Sequence, residues 1–355
     1  TPEFGLGSQT YNTVFGTTRN AYNPSLCAGG SSGGAAVGLA AQLLPVADGS
    51  DMMGSLRNPA AFNNVIGFRP TKGRVPGADE NSKLFFDQLA TDGPMGRDVT
   101  DTIKLLTTMA GFDAREPLSL QETLPRAESF VPTTLEDGVR IGWMGDYGGY
   151  LATEPGLLDI CRGALQGVET KGAVVEDCAP DFELERLWDT WLTLRHFAFI
   201  DSQPLLKDPT LKSQLKPEFQ WEIEGSLGMS AAQIVTADTA RSNWYRALMA
   251  LFDEYDFLAL PTAQVFPFDA QTHWPSKING KPMDTYHRWM EVVIGGTLAG
   301  LPVVNLPAGF DQQGRPIGIQ ILGPTGRDKA VLEFALAYEA VTSYLEQRPS
   351  LVTSL

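Results

Sequence analysis

A run of small apolar residues, 35–44, joins two glycine-rich turns, and each turn carries a serine. The first turn reads Gly29-Gly30-Ser31-Ser32-Gly33-Gly34. The second reads Gly49-Ser50-Asp51-Met52-Met53-Gly54-Ser55-Leu56-Arg57-Asn58-Pro59-Ala60. The connecting run is apolar nearly all round, which predicts a buried helix packed closely on a sheet. Leu44-Pro45-Val46-Ala47-Asp48 predicts a short buried strand leading into the second turn. Turn, helix, strand, turn is an order that returns Ser55 to Ser31, 24 residues earlier. Glycine adopts backbone angles that other residues avoid. Such turns can therefore aim a hydroxyl and a row of backbone N–H groups at one point. A nucleophile and an oxyanion hole are what acyl transfer requires.

The rest of the chain alternates helical and strand patterns. Residues 100–109 predict a helix with an acidic start, suited to the positive end of its dipole. Helical spacing recurs over 155–171, 182–205, 231–255, 283–298 and 329–345. Strands are predicted over 139–144, 257–261, 303–306 and 317–322. This alternation indicates an α/β class. No internal repeat, low-complexity tract or linker interrupts it, so one domain over 1–355 is expected.

Composition narrows the function. The 355 residues carry 27 Lys+Arg against 42 Asp+Glu, a net charge of −15. Such a surface repels phosphate backbones and anionic lipid, so neither nucleic acid nor membrane is expected as a direct partner. No apolar run reaches the ~18 residues of a membrane span. Cys27, Cys161 and Cys178 are odd in number and widely spaced, which fits a reducing, cytoplasmic compartment. His196, His273 and His287 show no metal-ligand spacing. The chain opens on Thr1-Pro2-Glu3-Phe4-Gly5 without an initiator methionine, so a targeting segment cannot be read.

Three readings compete for the serine turns. Glycine–serine clusters are usually surface turns. A phosphate cradle would need the Walker lysine, which is absent. Gly30-Ser31-Ser32-Gly33-Gly34 fits the hydrolase elbow Gly-x-Ser-x-Gly, but no strand precedes it and no histidine is marked as its partner.

The longer pattern is more specific. The two turns, with Gly67-Phe68-Arg69-Pro70-Thr71-Lys72-Gly73-Arg74-Val75, resemble the amidase signature family. The resemblance extends to the leader Thr1-Pro2-Glu3-Phe4-Gly5 and to Phe15-Gly16-Thr17-Thr18-Arg19-Asn20. It also covers Gly300-Leu301-Pro302-Val303, Pro307-Ala308-Gly309-Phe310 and Gly318-Ile319-Gln320-Ile321-Leu322-Gly323. It implies a twisted mixed sheet covered by helices on both faces. A signature core would span about 1–110, a variable, substrate-shaping middle about 130–280, and a C-terminal core about 284–345.

The resemblance further implies a Ser–Ser–Lys triad and hydrolysis of a carboxylic amide, extending to carbamates or esters. Ser55 is the implied nucleophile, and Ser31 the bridging serine, which in this family commonly follows a cis peptide. The backbone N–H groups of Met52, Met53, Gly54 and Ser55 are the implied oxyanion hole. Gly30, Ser32, Gly33, Asp51 and Arg57 are read as scaffold of the turns. Met53 stands where the family usually has glycine; its bulk is expected to narrow the site or restrict the turn. The family's base is a lysine upstream of the first turn, and no lysine precedes Ser31 here. The expectation is an N-terminally truncated amidase in which Lys72 is scaffold. No metal or organic cofactor is implied. The partner is a small-molecule amide, and a homodimer stays open. Two alternatives remain: the amidotransferase subunit that makes glutaminyl-tRNA, and a non-catalytic relative or binding module lacking the lysine.

The remaining singled-out residues are read as structural. That covers the three histidines and Trp188, Trp191, Phe197 and Phe199, whose near-helical spacing suits a core. Tyr286-His287-Arg288-Trp289 is a pocket candidate, and Cys27, near the first turn, lacks a base partner.

Overall fold

Near-continuous apolar runs in the second half of the chain build the centre of one mixed sheet. A computed structural model describes residues 1–77 and 83–353. Its eight-stranded sheet is formed by β1 (Val46–Asp51), β2 (Ile66–Arg69), β3 (Thr91–Gly96), β4 (Arg140–Trp143), β5 (Val174–Asp177), β6 (Phe257–Pro261), β7 (Val303–Phe310) and β8 (Pro316–Leu322). The strands lie in the order β1-β3-β2-β7-β8-β6-β4-β5. β4 runs parallel to β5 and β6, and every other pairing is antiparallel. Every residue of β2, β6 and β8 is buried. Side chains alternate between the two faces of a strand, so both faces of the sheet centre are covered.

The short helix Arg57–Phe62, immediately after the second serine turn, packs on β2, β7 and β8. The helix Leu157–Ala164 packs on β6, β7 and β8, and Asp328–Val341 packs on β7. Polar side chains inside the sheet fix this arrangement. Asn305 on β7 lies opposite Gln320 on β8. Asn305 accepts from the Thr262 hydroxyl at 2.7 Å and donates to the Val65 carbonyl at 3.1 Å. Gln320 donates to the carbonyls of Pro261 and Val292, both at 3.1 Å, and accepts from Arg57 at 2.8 Å. The sheet centre is thereby tied to the helix that follows Ser55.

Several local expectations need correction. The helix after the first turn is Gly33–Ala40, and only part of it is buried. The strand that follows starts at Val46 and is only partly buried, because it forms the sheet edge and leaves Asp48 and Ser50 exposed while Asp51 is buried. The pattern over 182–205 breaks after Ala198. The backbone leaves helical geometry at Phe199, a 3-10 turn follows, and a further helix opens on Pro204. The 155–171 stretch is two helices, Leu157–Ala164 and Gln166–Glu169. Over 283–298, helical structure begins only at Arg288. Residues 288–298 are buried on all sides, so periodicity cannot mark that start. β2, β3 and β5 carried no readable alternation.

Asn305→Ala would leave the Thr262 hydroxyl and Val65 carbonyl without their partner. The expected loss is about 1–3 kcal/mol, read as a lower denaturation midpoint in urea.

Candidate active site

The first turn enters the site under a clamp that sequence reasoning did not single out. The Thr10 hydroxyl lies 2.9 Å from the Gly29 carbonyl and 3.1 Å from that of Ser31, and it accepts from the Gly33 N–H at 3.1 Å. Gly30 passes so close to Gln9 that a Cβ would sit 2.8 Å from its backbone. The Gly30–Ser31 peptide is cis. The second turn joins β1 to the helix Arg57–Phe62. The two turns meet directly, as the Ser32 N–H donates to the Ser55 carbonyl at 3.3 Å.

Asp51 organises the second turn. Its wholly buried carboxylate accepts from the N–H groups of Gly54 (2.8 Å) and Leu56 (3.3 Å), and from Arg57 Nε and Nη2, both at 2.9 Å. Arg69 lies 3.4 Å from the same carboxylate and donates to the Asp51 carbonyl. Burial alone would raise the Asp51 pKa; Arg57 and Arg69 outweigh it and hold the carboxyl at about 2. Arg57 is completed by the Val293 carbonyl (3.0 Å), Gln320 (2.8 Å) and Thr297 (3.0 Å). Gly54 has φ +78, and a Cβ there would lie 2.2 Å from Asn58 Oδ1. Only glycine fits this corner.

Ser31 and Ser55 line one cavity of about 170 Å³, together with Ser50, Met52 and Met53. Ser31 is 5% exposed and Ser55 is half-buried. Of the expected oxyanion donors, the Gly54 N–H is engaged by Asp51. The N–H groups of Met52, Met53 and Ser55 carry no hydrogen bond to any described residue. Met53 is buried, while Met52 is half-buried with its sulfur 3.2 Å from Arg195 Nη1.

Arg195 belongs to a second polar wall of the cavity, with Tyr286 and His287. It donates to Glu222 and, at 2.7 Å, to the Tyr286 hydroxyl, which donates to Glu222 at 2.6 Å. Burial favours the neutral acid of Glu222, but the Arg195 guanidinium overrides it and holds the carboxyl at about 2. Arg195 and Glu222 were missed in the sequence because 27 residues separate them and no local motif joins them.

Other expected residues fall elsewhere. Trp188 and Trp191 are core, whereas Phe199 lines the serine cavity. Phe197 lines a larger neighbouring cavity of about 630 Å³, which shares Met52, Ala90 and Phe199 with the first. Lys72 also lines the larger cavity; its Nζ donates to the Ala90 carbonyl at 3.0 Å and lies 3.7 Å from Glu116. Cys27 lies outside the serine cavity, and burial pushes its thiol up to about 12. Among the described residues, no group of three or more His, Cys, Asp or Glu is placed to hold a metal ion, and no helix is long and apolar enough to cross a membrane.

Two serine turns on one small cavity, beside unengaged backbone N–H groups, are the parts that serine-based acyl transfer uses. Residues 1–332 match the Amidase family, and the chain belongs to the amidase signature enzymes. It is 32% identical to an acylamidase of Rhodococcus erythropolis over 361 residues, covering 99% of this chain and 72% of that protein. It is 30% identical to the A-type subunit of the glutamyl-tRNA(Gln) amidotransferase of Pseudomonas putida over 372 residues, covering 98% of this chain and 74% of that one. The solved structure of a bacterial aryl acylamidase of the same family superimposes with a TM-score of 0.88 at 29% identity, over 97% of this chain and 72% of that one.

Removing the Asp51 charge leaves two buried guanidiniums without their counter-ion. Asp51→Asn is expected to cost about 3–5 kcal/mol at neutral pH, measured by denaturant unfolding. The Asp51 pKa is depressed in the fold from 3.8 to about 2. Its contribution is therefore complete above pH 4 and lost as pH falls through about 2. Across that window the stability of Asp51→Asn should fall less steeply than that of the wild type.

Proposed function

We propose that this chain hydrolyses a carboxylic amide through an acyl-enzyme on Ser55. The family match and the likeness to an acylamidase support hydrolysis of an amide C–N bond. The observation that carries the residue assignment is the shared cavity of Ser31 and Ser55, held together by the Ser32–Ser55 backbone bond. Ser55 Oγ attacks the carbonyl carbon while its proton passes through Ser31 towards a base. The Met52, Met53 and Ser55 N–H groups stabilise the oxyanion that forms. The C–N bond breaks, the amine leaves with a proton, and water then attacks the ester to release the acid and restore Ser55.

The resemblance assigns the base to a lysine. Among the described residues lining the serine cavity there is no lysine, and Lys72 is engaged with Ala90 and Glu116. The substrate is a small-molecule amide, with carbamates and esters as chemical neighbours. The likeness to the amidotransferase subunit supports a second reading, in which the same serines release ammonia from an amide for a partner protein.

The test is intact-mass analysis after exposure to a fluorophosphonate, with peptide mapping. One adduct on Ser55, absent in Ser55→Ala and reduced in Ser31→Ala, is the expected result. An adduct that persists in Ser55→Ala would overturn the assignment. Acid released from a panel of simple amides without ammonia-dependent transfer separates the first reading from the second.

A further inference from the structure

The serine cavity has a larger neighbour, and one cation on the wall of that neighbour stands without a counter-ion. The two cavities, of about 170 Å³ and about 630 Å³, adjoin at Met52, Ala90 and Phe199, which line both. The larger one has the size at which proteins take up a whole small molecule. Leu194 and Phe197 join Phe199 on its wall, at the end of the helix Leu184–Ala198.

Three cations line the larger cavity among the described residues. Lys72 has Glu116 at 3.7 Å, and Lys83 has Asp201 at 3.1 Å and Asp87 at 3.8 Å. Arg241, on the helix Ala231–Phe252, makes hydrogen bonds only to backbone carbonyls: Nε to Leu298 at 2.6 Å and Nη2 to Gln88 at 3.3 Å. Its Nη1 has no partner among the described residues and keeps accessible surface. The side chain is half-buried and lines the cavity, so a group held there can reach it. Burial lowers the Arg241 pKa and the charge of Asp238 opposes this, but a guanidinium stays protonated throughout. Asp238 itself is exposed, one turn earlier on the helix. Asp92 also lines the cavity, and the cation that acts on its carboxylate is Lys72.

A part-buried cation without a counter-ion is costly, and a carboxylate carried in by a ligand would give it a charge-assisted hydrogen bond. The net charge of −15 acts at longer range and is screened beyond about 10 Å in 0.1 M salt, so it does not decide a direct contact.

We propose that the larger cavity is a substrate subsite in which Arg241 binds a carboxylate remote from the scissile amide, with an apolar segment between the two lying along Leu194, Phe197 and Phe199. The inference rests on the amidase reading of the serine cavity, and it deepens that reading by naming the class of amide taken.

Adipic acid monoamide and hexanamide differ in one terminal group, a carboxylate against a methyl, and they are the probes, with the four- and eight-carbon pairs beside them. Affinities are measured by calorimetry in Ser55→Ala, where turnover cannot consume the ligand. At one chain length or more, the carboxylate should bind about tenfold tighter, the factor of a hydrogen bond to a charged group. Arg241→Gln should erase that preference, Arg241→Lys should keep part of it, and Lys72→Gln should leave it intact. Equal affinities at every length, or a preference that survives Arg241→Gln, would overturn the proposal. A preference abolished by Lys72→Gln overturns it as well, and decides even where the Arg241 variants do not fold. Fluorophosphonate labelling separates this inference from the reading beneath it. Labelling specific to Ser55 with equal affinities overturns this inference alone. An adduct that persists in Ser55→Ala, with the carboxylate preference intact, overturns the serine assignment and keeps the subsite.

Discussion

Everything at the site depends on one buried carboxylate between two buried guanidiniums. Asp51 ends the edge strand β1, and its oxygens hold Gly54, Leu56, Arg57 and Arg69 at once. Those bonds fold the Met52–Ser55 segment back on itself. They do so while leaving the N–H groups of Met52, Met53 and Ser55 without a partner among the described residues. An isolated ion pair in the interior is weak support for stability, because desolvation offsets most of the attraction. Here the carboxylate also meets two backbone N–H groups, and Arg57 reaches Val293, Thr297 and Gln320. The pair thus acts through geometry: it fixes where a turn lies relative to the sheet.

The sheet answers that demand from below. β7 and β8 are apolar strands that carry one polar residue each at opposed positions, Asn305 and Gln320. Gln320 passes the constraint from Arg57 to the carbonyls of Pro261 and Val292. Asn305 passes it from Thr262 to Val65. The apolar positions make the core, and these two polar positions make the core specific to one placement of the helix after Ser55.

Much of this was legible in the sequence, in an uneven way. The α/β class, the strand over 257–261 and the meeting of the two serine turns followed from local patterns. The family motifs carried the rest of that reading. What stayed hidden was of two kinds. β3 reads Thr-Asp-Gly-Pro-Met-Gly and β5 has three exposed positions of four, so neither shows the alternation of a half-buried strand. The second kind is contact between distant residues. Thr10 under the first turn, and the Arg195–Glu222–Tyr286 wall, are assembled by the fold from separate segments. The Gly54 N–H belongs here too. The family resemblance placed it among the oxyanion donors, and only the folded turn reveals that Asp51 engages it.

The partners of Arg57 have a bearing on how the molecule is made. Val293 and Gln320 lie 236 and 263 residues further along the chain. At ordinary synthesis rates that separation is on the order of tens of seconds. During that time both serine turns have left the ribosome, but the strand that seats Arg57 does not yet exist. The turns must wait without their final support, and the site can close only once β8 has joined the sheet. Such long-range closure is slow in its own right. A chain stalled before Gln320 would carry both serines and the Asp51–Arg57 pair, but not the strand that seats Arg57 on the sheet.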